Sequence, residues 1–108
     1  MKLDTRNLTE TTELCFERSM DTGLPPVERG KFLAEGKKLR RQLIDLLRPR
    51  CHAEFDDEIS EANSRLGEVA KQLRKKIDEL SKVKQQIAEL RGIAKLLDTL
   101  LTGAVSLV

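Results

Sequence analysis

Tryptophan and tyrosine are absent from this sequence, and phenylalanine occurs three times. β-Sandwiches and barrels draw on aromatic and β-branched residues in alternation, and no stretch here supplies them. The same shortage removes the flat side chains on which single-stranded nucleic acids stack. Cysteine and histidine are nearly as scarce, with Cys15, Cys51 and His52 the whole supply. A structural zinc site asks for four ligands, and no CxxC, HxxxH or HExxH spacing occurs. Cys51 and His52 with Asp56 come nearest to a metal cluster, and Cys15 would have to join them in space. A partly buried thiol and a histidine at a helix start are the plainer reading. Sequence neighbours point in different directions on a helix, so Cys51 and His52 do not pair as nucleophile and base. Asp56, Asp57 and Glu58 read as a solvated helix start rather than a magnesium site. No metal, cofactor or catalytic group is expected.

Long apolar runs are missing too. A membrane-spanning helix needs about 20 apolar residues, and the nearest candidate, 92–108, contains Lys95 and Asp98. The opening MKLDTRNLTE has no apolar core of a secretion signal. The expectation is a soluble, cytoplasmic protein with both thiols free. Its glycines are scattered and form no phosphate-binding loop.

Charge is abundant instead: Asp, Glu, Lys and Arg make up 35% of 108 residues. A palette of Lys, Glu, Leu and Arg suits helix surfaces and coiled-coil seams. The chain is therefore expected to be one small all-α domain. The net charge of +2 is modest, but it is arranged in blocks. Residues 1–28 and 54–61 are acidic, and 29–50 and 71–95 are basic. Blocks of this kind fit helices lying side by side as well as they fit a ligand.

Three helices are predicted, followed by a short apolar tail at 103–108. The first covers about 8–20, opened by a capping box of Asn7 and Glu10 and closed by Gly23 with positive φ. The second covers about 26–47, starting at Pro25-Pro26 and ended or kinked by Pro49. Phe32, Gly36, Leu39, Leu43 and Leu46 share one face of it, and Gly36 marks a close approach of another helix.

The third, about 52–102, carries a heptad. Its a positions are Ile59, Leu66, Leu73, Leu80, Ile87, Ala94 and Leu101. Its d positions are Ala62, Val69, Lys76, Val83, Leu90, Leu97 and Ala104. Lys76 alone interrupts the register, which reads as one coiled-coil-like helix. Past Gly92 the stripe widens to include Ile93, Leu96 and Leu100, and Gly103 is the expected stop.

Lengths then suggest company. The long helix would reach roughly 70 Å and the second roughly 32 Å, at 1.5 Å per residue. Its C-terminal half would lie bare, and soluble monomers rarely expose such a stripe. A second copy of the chain is the expected cover, with Leu73, Leu80, Val83, Ile87, Leu90, Ile93, Leu97 and Leu101 as the interface. The functional expectation is a non-catalytic interaction protein, that is, an adaptor, accessory subunit or assembly scaffold working through this seam. The alternative is a nucleic-acid-associated protein whose Lys37, Lys38, Arg40 and Arg41 contact phosphates. The apolar C-terminus is expected to dock on protein rather than on lipid.

Overall fold

The computed structural model describes residues 2–46 and 55–106, with side chains through Thr102. These residues form four α-helices and no strand: α1 (Thr5–Ser19), α2 (Pro26–Leu46), α3 (Asp56–Arg74) and α4 (Leu80–Ser106). The expected long third helix is thus two helices, and this is the main correction to the sequence reading.

The break falls at the one polar d position. Lys75 closes α3, and Lys76 then takes φ 50°. A left-handed turn follows many helix ends, normally on glycine; on lysine it costs about 1–2 kcal/mol. The Lys76 N–H returns to the Leu73 carbonyl at 3.2 Å, and α4 sets off in the reverse direction. What offsets the turn is burial. Val83, Ile87, Leu90, Ile93 and Leu97 are each at most 3% exposed, packed with Ile59, Leu66, Val69 and Leu73. A buried side chain of this size contributes about 1.5–3 kcal/mol, so folding back far outweighs one strained residue.

Polar contacts fix the directions of the helices. Arg29 Nε donates to the Ser19 carbonyl at 3.1 Å, so α1 and α2 form an antiparallel hairpin. Arg65 Nε meets Glu89 at 2.7 Å across the α3–α4 hairpin. The two hairpins stack with like helices together. Asp4 N donates to Asn63 at one end of the α1–α3 seam, and Arg18 reaches the Ile77 carbonyl at the other. Along the α2–α4 seam, Glu35 faces Arg91, and Gln42 donates to Ala94 O at 2.8 Å. The order around the bundle is therefore α1, α2, α4, α3, and α3 begins at the corner diagonal to α2. The body measures 45 × 20 × 19 Å.

Smaller corrections follow from local hydrogen bonds. Asp4, not Asn7, caps α1: its carboxylate accepts from Asn7 N at 3.0 Å, while Asn7 Nδ2 donates back at 2.8 Å. No glycine has positive φ among the described residues, so Gly23 is an ordinary turn residue. Helix α4 continues through Gly103 to Ser106. Pro49, Cys51 and His52, and with them the expected turn or kink after α2, lie outside the described residues. Gly36 behaves as expected: a Cβ there would stand 3.1 Å from the Phe16 ring and 3.2 Å from Cys15 Cβ. That contact is where α1 and α2 cross.

Candidate docking face

The residues expected to meet a partner are mostly inside. Leu73, Val83, Ile87, Leu90, Ile93 and Leu97 form the chain's own core. Leu101 is half-buried, and only Leu80, at 42%, is exposed. The bare stripe that called for a second copy is covered by α2 and α3. The seam consequently offers no surface in this form of the protein.

The basic residues fare differently. Lys37, Lys38, Arg40 and Arg41 are all exposed on α2. Lys38 pairs with Asp98 at 3.3 Å, and Arg40 lies over the Phe16 ring, 5.4 Å from its centre. Lys37 and Arg41 stand on the same outward face, four residues apart. Leu33 and Ile44 extend that face at i, i+4 and i+3 steps, exposed to 38% and 58%. Gly30 and Ala34 keep its centre low, and Val27, 64% exposed, lies at its N-terminal end.

Helix order gives this face its electrostatic setting. Helices α2 and α4, which are neighbours, carry ten basic and five acidic residues. Helices α1 and α3 carry five basic and eight acidic. One broad side of the bundle is thus net positive and the opposite side net negative, a separation hidden by the overall +2. Between α2 and α4 runs a shallow groove of about 520 Å³ lined by Glu35, Lys38, Arg91 and Lys95 over Ala88, Gly92 and Ala94. Glu35 holds Arg91 at 3.4 Å. Its other carboxylate oxygen is buried with no hydrogen-bond partner among the described residues.

A second groove of about 550 Å³ lies beside the α3–α4 turn, between Val69, Gln72, Ile77 and Gln86. Its rim mixes Glu68 and Glu89 with Lys75 and Lys82, so its charges balance locally. Among the described residues, no three His, Cys, Asp or Glu side chains converge as metal ligands. Cys15 is fully buried. Burial, with the Glu35 charge adding, pushes its thiol up to about 12, which suppresses the reactive thiolate at neutral pH. No described helix is long and apolar enough to cross a membrane. No family model, no curated protein and no solved structure matches this chain.

Sequence reasoning found the basic run but missed its neighbours. Leu33 and Ile44 fell off the predicted core stripe, which was the available sign that they point outward. The placement of α4 beside α2 carried no sequence signal.

Proposed function

We propose that this protein is a non-catalytic docking module whose exposed α2 face receives an acidic amphipathic helix from another protein. The observation that carries this reading is the interleaving of Lys37 and Arg41 with Leu33 and Ile44 on one exposed stripe. Phosphate contacts need cations and make little use of aliphatic side chains. A docked amphipathic helix uses both, with apolar anchors at i, i+3 and i+4 and complementary charges at the edge. The net positive α2–α4 side steers such a partner, and the net negative side repels it. The module would act as an adaptor or accessory subunit.

A synthetic helical peptide with leucines on one face and glutamates flanking them is a suitable probe. Its addition to isotope-labelled protein should shift the amides of residues 27–44, and Lys37→Glu with Arg41→Glu should abolish the shifts. Duplex DNA and single-stranded RNA at about 50 mM salt, where phosphate contacts are strong, form the comparison. Shifts of the same amides by nucleic acid, with none from the peptide, would transfer the face to the phosphate-binding alternative.

A further inference from the structure

The α3–α4 turn has an unusual composition for a reversal. Residues 75–79 read Lys-Lys-Ile-Asp-Glu, with no glycine and no proline. Lysine and glutamate are good helix formers, yet Lys76 is held at φ 50°. The heptad also keeps its phase across the break: Leu66, Leu73, Leu80 and Ile87 are evenly spaced by seven. Two helices joined by a fixed hairpin have no reason to share one phase, because each meets the core in its own orientation. A segment that is helical in a second state does have that reason.

The turn is also latched from outside. Arg18 Nη2 donates to the Ile77 carbonyl at 2.5 Å, and Nη1 lies 3.2 Å from Asp78. In a continuous helix the Ile77 carbonyl would accept from the N–H four residues on, so Arg18 would lose it. Arg18 therefore binds the folded-back turn and not the straight one.

We propose that α3 and α4 can straighten into one helix and that a second copy of this chain then completes the bundle by domain swapping. In the swapped dimer α4 of each chain sits on α2 and α3 of the other. Val83, Ile87, Leu90 and Leu97 keep the same neighbours, now supplied by the partner. Because the core contacts are identical, the balance depends on the residues of the turn and on protein concentration. Short strained hinges are the usual site of such exchange. The occupant is a second copy because only the identical bundle offers α4 its own seat. This inference stands apart from the α2 docking face, which both forms expose.

The test refolds the full chain from denaturant at about 1 mM and about 1 µM, the range over which association competes with refolding. Wild type should yield dimer at the higher concentration. Lys76→Gly relaxes the left-handed turn and weakens the straight helix, and should lower the dimer-to-monomer ratio about tenfold. Lys76→Ile adds a seam residue and disfavours positive φ, so it should raise the ratio. Spin labels at Ser60→Cys and Lys95→Cys, in a Cys51→Ser background and diluted in unlabelled chain, report the hinge. They lie across packed helices in the closed form, but about 52 Å apart on a straight rod. Monomer alone from wild type and Lys76→Ile, or a dimer that keeps the short intrachain distance, would overturn the proposal. Should Lys76→Ile fail to fold, wild type against Lys76→Gly still decides it.

Discussion

The guanidinium of Arg18 on α1 lies 3.2 Å from the Asp78 carboxylate in the α3–α4 turn. It also holds Asp21 at 2.5 Å, so one buried cation ties together the turns of both hairpins. Its own plane packs over Phe32. Truncating a buried charged group strands the partners it satisfied. Arg18→Ala should therefore cost about 2–4 kcal/mol in urea unfolding, allowing for the partly exposed carboxylates. Asp78→Asn, at a largely exposed side chain, should cost less than about 1 kcal/mol. Equal losses for the two variants would show that the pair with Asp78, rather than the contacts to the Ile77 carbonyl, Asp21 and Phe32, carries what Arg18 contributes.

The heptad residues separate two meanings of an apolar seam. If they served an oligomer, charge at Ile87 or Leu90 would dissociate it and leave folded subunits. In the four-helix bundle both are core. Ile87→Glu should unfold the chain outright, and Leu90→Ala should cost about 2–5 kcal/mol. Leu80→Glu, at an exposed position on the first turn of α4, should change stability by no more than about 0.5 kcal/mol. Circular dichroism with sedimentation separates a lost fold from a lost dimer.

This contrast also locates where the sequence was legible. Composition and 3.6-residue periodicity were enough for the all-helical class, and Pro25-Pro26 fixed the start of α2. Most apolar residues of the heptad from Ile59 to Leu97 are buried, with Leu80 exposed at the break and Leu101 half-buried, but a stripe is silent about which helix covers it. Lys76 was the one departure from the pattern, and it proved to be the reversal. Because no glycine or proline accompanies it, propensity favoured continuing the helix, and tertiary burial decided otherwise. The docking face was half visible. The cations of 37–41 stand out in one dimension, whereas the gathering of charge on α2 and α4 depends on two helices that are distant in sequence.

Cys15 gives a pH-dependent prediction with a definite sign. Its thiol is raised from 9.0 to about 12 by burial and by the nearby Glu35 charge. The folded state thus holds the proton more tightly than the unfolded state does. Its contribution to stability is fully present below pH 9.0 and is lost as pH climbs toward about 12. In a Cys51→Ser variant, a disulfide reagent should leave native protein unmodified at pH 8 and react with one thiol after unfolding. Cys15→Ala should flatten the alkaline arm of the stability curve. Rapid native-state reaction at neutral pH would contradict the burial.

Two glycines on α2 have the same helix geometry and opposite surroundings, which makes them a paired test of the packing. A Cβ built at Gly30 meets nothing within 4 Å. Gly30→Ala therefore gains helix propensity with no steric penalty against it, and should stabilise by about 0.5–1 kcal/mol. At Gly36 the same methyl would press on the Phe16 ring and on Cys15, both on α1. The propensity gain there is offset by the need to push apart a pair of helices in close contact or to shift the Phe16 ring, which lies beneath Arg40. Gly36→Ala should come out near neutral or mildly destabilising, and Gly36→Val should cost about 1–3 kcal/mol through overpacking. Thermal unfolding of the three variants at one protein concentration checks the order. A stabilised Gly36→Val would mean that α1 and α2 do not cross where the structure places them.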